Sequence, residues 1–322
     1  MSRLSPAWLG DPGLALLAGA LAPARGRIFL VGGAVRDAVL GIAEPAGFSA
    51  VCGLAAETGR DRLDAAGLAY APHPFRPDAV LVSLPEGAVS GVALDFTGEV
   101  PLSQAARARD FTCNAIHLGL DGVVHDPLGG LADIAARRLR PVAPDAFAVD
   151  PVRVLRLPRM LRRIGPGAAP APGTEALARA AAPGLAAADP ARVAVELARM
   201  LDLTAADEAA ADVMILDRLG ALRAVYPKSD PAGFAVYCRA CVAAGADEGE
   251  EATPRMAVLG HRPHIGYDAR AAAFGDARDA RIAECAALLL GAATGGSVLD
   301  AVLSSHGRAN RVGGGSGMPG RA

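Results

Sequence analysis

The chain has 322 residues, long enough for about two domains, and with 52% hydrophobic but only 4% aromatic residues its core must be built mainly from Ala, Leu and Val. A formal net charge of −2 does not by itself point to nucleic acid, and only Lys228 is lysine among the 32 basic residues, as base-composition bias in a GC-rich genome produces. Five scattered cysteines without a secretory leader fit free thiols in a reducing cytosol, and no run of about 18 apolar, uncharged residues reads as a membrane span.

In chain order, Pro12–Leu21 predicts a short helix packed outside the first strand. Ile28–Gly41, IFLVGGAVRDAVLG, reads as a buried strand turning tightly into a helix at Gly32-Gly33. Such a turn can cradle a phosphate. Its glycines let the backbone approach an anion, the helix start aims N–H groups at it, and Arg36 adds a bidentate contact. The commoner Gly-Gly turn merely joins a strand to a helix, so its functional weight depends on the motifs downstream. A helix is expected over Leu54–Gly67, stopped by Gly67. Asp78–Leu84 and Val89–Thr97 flank Pro85-Glu86-Gly87 as a hairpin. Ala115–Leu120 and Gly122–Asp126 form a second pair about Asp121-Gly122.

From Asp150 onward the pattern is helical. Gly165–Gly173 reads as a linker. Helices are expected over Thr174–Ala182, Pro190–Leu203, Glu208–Leu219, Pro231–Ala244, Asp276–Leu290 and Gly296–Ser305, and Arg308–Ala322 is expected to be disordered. Cys238-x-x-Cys241 lacks further ligands at zinc spacing and is assigned to buried helix positions. Between Arg137 and Arg163 eight arginines face Asp145 and Asp150, a local charge of +6 in a chain whose total is −2. That asymmetry makes a plausible anion-binding patch.

Four ordered segments then carry a resemblance. Gly32-Gly33-Ala34-Val35-Arg36-Asp37 with Leu40-Gly41, Arg109-Asp110-Phe111-Thr112-Cys113-Asn114-Ala115, Asp126-Pro127-Leu128-Gly129-Gly130-Leu131-Ala132-Asp133 and Asp150-Pro151-Val152-Arg153-Val154-Leu155-Arg156 resemble the class II CCA-adding enzymes (tRNA nucleotidyltransferases) and bacterial poly(A) polymerases. Weaker likeness to the family's RNA-binding neck continues through Asp189–Leu197 and Leu219–Pro227. The resemblance implies an α/β nucleotidyltransferase-like head, a mixed sheet with helices, followed by an all-helical neck and body. The expected domains are an N-terminal helix (1–26), the head (27–137), the neck (138–230), a helical body without resemblance (231–307) and a tail (308–322). It also implies Mg²⁺ and CTP or ATP as cofactors, RNA with a tRNA-like 3′ end as partner, no membrane contact and a cytoplasmic location.

Adding a nucleotide to an RNA 3′ end requires a triphosphate to be neutralised, which this superfamily does with metal ions on carboxylates. The family's paired acids, Asp-x-Asp on a strand, fall here on Gly47 and Ser49. No register shift restores them, because no acid lies between Glu44 and Glu57. A serine hydroxyl is a poor ligand for a hard cation, so catalysis is expected to be absent or very weak. Asp95 is the best match to the third acid, with an ordinary strand-end carboxylate as the alternative. The arginine that usually follows its strand is gone, and Ala108-Arg109 replaces an Arg-Arg pair.

By resemblance, Gly32, Gly33, Arg36, Asp37, Arg109, Asp110 and Asn114 bind nucleotide, the last two at the ribose. Asp126, Gly129, Gly130 and Asp133 match the turn joining head to neck and read as a plain Asx and glycine turn. Asp150 and Arg153 match the element that reads the base, with Val149 in place of its glutamate; an intrahelical salt bridge is the alternative. Arg156, Arg159 and Arg162 continue a three-residue spacing from Arg153 and are the candidate RNA contacts, a solvated basic face being the alternative. Pro158 should bend or break their helix. Three readings stay open: an active nucleotidyltransferase, a non-catalytic nucleotide- or RNA-binding pseudoenzyme, and a structural remnant, with the last two favoured.

Overall fold

The computed structural model describes residues 2–225 apart from 25–26, 44, 46, 77, 86, 190–191, 194–195, 198–199 and 201–205. The helices expected beyond residue 230, the Cys238–Cys241 pair and the tail lie outside the described residues, as does much of Pro190–Leu203. The chain divides into two compact units: residues 1–146 with 161–174, and residues 147–160 with 175–322.

The first unit is built on a seven-stranded mixed sheet. Its strands are β1 (Ile28–Val31), β2 (Phe48–Cys52), β3 (Tyr70–Pro72), β4 (Ala79–Ser83), β5 (Gly91–Phe96), β6 (His117–Gly119) and β7 (Val124–His125), in the order β3-β4-β5-β2-β1-β6-β7. Only β2 and β5 pair in parallel; every other neighbour is antiparallel. Both expected hairpins are present, β4–β5 and β6–β7, the latter turning at Gly122 with φ +81°.

Register gives the sheet two unlike faces, because paired residues share a side. Leu118, Leu30, Ala50, Leu94 and Val80 align across five strands, and all are at most 2% exposed. This is the core face. Helix α1 (Pro12–Ala20) and helix α3 (Ala56–Ala65), which follows α2 (Gly33–Val39), pack beside one another, and Gly59 of α3 lies so close to Phe96 that an added Cβ would fall 2.0 Å from its ring. The neighbouring row on the opposite face, His117, Val31, Ser49, Ala93 and Leu81, runs from fully buried at β6 to 41% exposed at β4. The open end of that row is where polar chemistry can reach solvent.

Two devices tie the N-terminal segment to the sheet. Asp11 caps α1 by accepting from the Gly13 amide at 2.8 Å, and its other oxygen accepts from the Ala88 and Val89 amides of the β4–β5 turn at 2.7 and 3.1 Å. Although burial raises the Asp11 pKa, the backbone donors outweigh it and hold the carboxyl below its usual range. Residues 2–4 also pair along β7, through Val124 N–H to Ser2 C=O and Leu4 N–H to Gly122 C=O, which covers an otherwise open edge.

Helices α4 (Leu102–Arg107) and α5 (Gly130–Ala135) complete the first unit, followed by a short parallel pair, β8 (Arg138–Leu139) and β9 (Ala169–Pro170). β9 corrects the expectation of a bare linker over Gly165–Gly173. Ala169 and Ala171 donate to the Arg137 and Leu139 carbonyls, so the middle of that stretch is held by the sheet ladder. Between them the chain runs through α6 (Ala146–Val149), α7 (Val152–Leu155) and α8 (Leu157–Ile164). Pro158 sits in the first turn of α8, where its absent N–H costs nothing, and the helix breaks before it at Arg156. α9 (Thr174–Ala181) and helices over Ala206–Arg218 and Ala221–Val225 are described in the second unit. Among the described residues no helix is long and apolar enough to cross a membrane.

Candidate nucleotide site and its arginines

Gly32 takes φ +84° and ψ −139°, a backbone conformation open to glycine alone, and starts a helix of seven residues. An added Cβ there would stand 2.7 Å from Arg109 Nη2 and 4.0 Å from Ser49 Cβ. The Arg109 guanidinium therefore lies over the strand-to-helix turn, beside the position that resemblance assigns to a metal-binding acid. Its Nη1 is 3.4 Å from Asp95 Oδ2.

Register shows that Ser49 and Asp95 share a face. Ser49 opposes Ala93 and Val51 opposes Asp95 on the parallel β2–β5 pair, which sets Ser49 and Asp95 on one diagonal. Gly47, just before β2, is exposed and presents no side chain. A second arginine, Arg76 from the loop before β4, reaches the same Asp95 Oδ2 through Nη1. No motif marks Arg76, and sequence reasoning passes over it. It places a second positive charge beside Asp95.

This donor set does not fit the Mg²⁺ that the resemblance implies. Mg²⁺ asks for oxygen ligands in a tight octahedron. Here the two lost acids leave no carboxylate on β2, and the one that remains is engaged by two guanidinium groups. Among the described residues no three His, Cys, Asp or Glu side chains gather as a metal site.

The predicted nucleotide residues on either side of this cluster form a buried chain of charge. Arg36 is 6% exposed; its Nε and Nη2 donate to Asp37 Oδ1 at 2.9 and 2.7 Å, and its Nη1 donates to Asn114 Oδ1 at 2.7 Å. Asn114 donates to Asp110 Oδ1 at 2.9 Å, as does the Phe111 amide at 2.7 Å. Arg163 donates to both oxygens of Asp37, at 3.0 and 2.7 Å, and that bond holds its pKa above the usual arginine value. Asp37, Arg36, Asn114 and Asp110 are thus gathered, but Arg36 braces the loop from below. Reaching a phosphate would require it to break its bonds to Asp37 and Asn114. In sequence Arg163 belongs only to a basic patch, and nothing local links it to Asp37, 126 positions away.

The Asp126–Asp133 segment is a structural turn. Asp126 accepts from the Gly130 and Leu131 amides at 2.7 and 2.9 Å at the start of α5, and Gly129 is left-handed at φ +75°. Asp133 is 2% exposed and accepts from the Thr112 hydroxyl at 2.7 Å and from Arg140 Nε at 2.8 Å. Thr112 lies inside the Arg109–Ala115 segment, so α5 helps hold that segment in place. Cys113 beside it is buried, and loss of solvation pushes its thiol up to about 12.

In the second unit, Asp150 Oδ2 accepts from Arg192 Nη2 at 2.7 Å and lies 3.5 Å from Arg153 Nε. The i,i+3 ion pair is therefore present, with a third member that the sequence did not suggest. Val149 is 71% exposed. Arg156 and Arg159 both reach Glu196, at 2.8 and 3.1 Å, and that carboxylate is 3% exposed. Two of the three candidate RNA contacts thus have an internal counter-ion, which lowers the charge they offer to solvent. Arg162 lies on α8 with Arg159, whereas Arg156 stands at the break before it, and Arg162 is half-buried.

No family model matches the chain. A multifunctional CCA protein of Xanthomonas campestris pv. campestris (strain B100) is 38% identical over 221 residues, which cover 63% of this chain and 52% of that protein. The chain therefore spans about half the length of the curated relatives it matches first. Among solved structures, a CCA-adding enzyme in complex with CTP superposes with a TM-score of 0.60 at 20% identity, over 82% of this chain and 67% of the other. A Thermotoga maritima CCA-adding enzyme in complex with tRNA gives a TM-score of 0.60 at 17% identity, over 95% and 86%. At these identities the structural likeness concerns the fold, and it includes the mixed sheet with helices of the head.

Proposed function

We propose, because this chain belongs to the class II family of CCA-adding enzymes, that it binds CTP or ATP and the 3′ end of tRNA while transferring nucleotides slowly or not at all. One observation carries the reading: among the described residues Asp95 is the acid left at the metal position, and its carboxylate is held by Arg76 and Arg109. Without metal stabilisation of the developing charge, a loss of several kcal/mol, on the order of a thousandfold or more in rate, is expected.

Binding functions have better support. The Gly32–Gly33 turn, Asp110 and Asn114 keep the nucleotide-facing scaffold in place, and Asp150 with Arg153 offers a planar hydrogen-bonding fork in the second unit. Arg156, Arg159 and Arg162 on the helical neck are the RNA contacts we propose. The relatives' names favour tRNA CCA ends over poly(A) tails, and a cytoplasmic location follows from such a substrate. The domain scheme is a head over 27–137, a neck over 138–230 and a further body over 231–307.

Purified protein with Mg²⁺, CTP, ATP and tRNA lacking its CCA end should show no incorporation above background, yet should retain that tRNA on a filter at low salt. Turnover of roughly 1 s⁻¹ or faster refutes the loss of catalysis. Absence of tRNA retention even at low salt leaves a structural remnant.

A further inference from the structure

We infer that Arg137 and Arg138, with Arg140 beside them, bind the ribose-phosphate backbone of RNA on the first unit. The inference rests on the tRNA-binding reading above and deepens it by naming where the polyanion is met.

Ion pairing sorts the eight arginines of the basic segment. Arg153 pairs with Asp150, Arg156 and Arg159 share Glu196, and Arg163 is held by Asp37. In contrast, Arg138 and Arg140 meet a single carboxylate, that of Asp133. Arg140 takes most of it, through Nε at 2.8 Å and Nη2 at 2.7 Å, while Arg138 Nη2 stands 3.5 Å away with its side chain 51% exposed. Arg137 Nη1 donates to the Pro166 carbonyl. That partner is neutral, so it fixes the guanidinium without cancelling its charge.

The backbone at Arg137 is a second, independent observation. Its φ of +51° is the one positive value outside glycine among the described residues. It stands just past the end of α5, after Ala136, at the position where helices most often place glycine. An arginine there carries a conformational cost that glycine avoids. What glycine lacks is the fixed and exposed charge.

Strand geometry groups the neighbouring charges. Arg138 and Arg140 flank the buried Leu139 and so share one side, where both reach Asp133. Ala132, Ala135 and Ala136 at the end of α5 are exposed, and their short side chains let a polyanion come close. Residues 130–140 hold no aromatic side chain that could stack a base, so the contact is to phosphates and blind to sequence. Planar guanidinium forks suit phosphate oxygens.

Filter binding of tRNA and of an unrelated RNA hairpin at several salt concentrations tests this on the full chain. Arg137→Gly and Arg138→Gln should each lower the slope of log K against log salt by about one, and weaken both RNAs alike. Arg137→Lys keeps the charge and should keep the slope. Glycine suits the left-handed backbone at 137, so Arg137→Gly keeps the fold, which a urea titration checks. An unchanged slope in either charge-removing variant, with tRNA still bound, overturns the inference and leaves the tRNA-binding reading standing. Weakening of tRNA alone, with the hairpin unaffected, also overturns it, because phosphate contacts carry no base information. So does a loss in Arg137→Lys as large as in Arg137→Gly. Variants that lose binding to phosphatidylserine vesicles but not to RNA assign the patch to a lipid surface and overturn it as well. No tRNA binding by the unaltered protein even at low salt overturns both readings.

Discussion

Replacing Asp37 is the sharpest test of how the head is held together. The carboxylate is 1% exposed and accepts from Arg36 Nε and Nη2 and from Arg163 Nε and Nη2, at 2.7–3.0 Å. Asp37→Ala removes the carboxylate that accepts two of the hydrogen bonds of Arg36, itself 6% exposed. Breaking a buried ion pair from one side costs about 3–5 kcal/mol. The Arg163 side chain is 35% exposed and can turn to water, so its share of that cost is small. Arg163→Ala alone should therefore cost about 1–3 kcal/mol. Asp37→Asn keeps one acceptor but turns an NH₂ group towards a guanidinium donor, and should be nearly as damaging as Asp37→Ala. Trp8 is the only tryptophan, lies in this unit and packs edge-on to Phe48 at 5.2 Å, so its fluorescence in a urea titration follows the head. An Asp37→Ala cost below about 1 kcal/mol, or a coupling between Asp37 and Arg163 below about 0.5 kcal/mol in a double-mutant cycle, would refute the reasoning.

Three further outcomes are expected. His117 is fully buried, and burial followed by the nearby Arg109 charge lowers its pKa from 6.5 to about 4. Above pH 6.5 the imidazole is neutral whether folded or not; as pH falls towards 4 only the unfolded chain takes the proton, so about 3 kcal/mol of stability is lost across that window. His117→Leu should flatten the pH dependence there, and an unchanged slope would count against the assignment. Gly130→Ala puts a Cβ 2.2 Å from the Thr112 carbonyl, so the backbone must move and about 1–3 kcal/mol or more is lost; near-neutral urea midpoints would contradict this packing. Glu196→Gln removes the counter-ion of Arg156 and Arg159, and should steepen the salt dependence of tRNA binding if those arginines face phosphate; an unchanged slope in filter binding would place them away from RNA.

Local signals in the sequence carried the sheet far. Two hairpins were legible from Pro85-Glu86-Gly87 and Asp121-Gly122, and the strand-to-helix turn from Gly32-Gly33, because turn chemistry and strand alternation are local properties. β3 and β9 were not, since strands of two or three residues such as Ala169–Pro170 are fixed by a partner's ladder rather than by their own pattern. The site was legible as motifs and opaque as charges. Arg36 reads as a phosphate contact until Asp37, Asn114 and Arg163 are seen around it. The basic segment counts as +6 only while Glu196, outside the window, is ignored. Arg76 has no motif at all, and 19 residues separate it from Asp95. Ion pairing is a tertiary property, so charge counts along the chain overstate what a surface offers.

The double role of Asp11 couples two distant segments of the fold. Its Oδ1 caps α1 locally, while its Oδ2 takes the Ala88 and Val89 amides of the β4–β5 turn, 77 and 78 residues further along the chain. One carboxylate therefore joins the start of the first helix and the β4–β5 turn in a single cooperative unit. In native-state hydrogen exchange the amides of Gly13, Ala88 and Val89 should share one opening free energy, and Asp11→Ala should lower all three together.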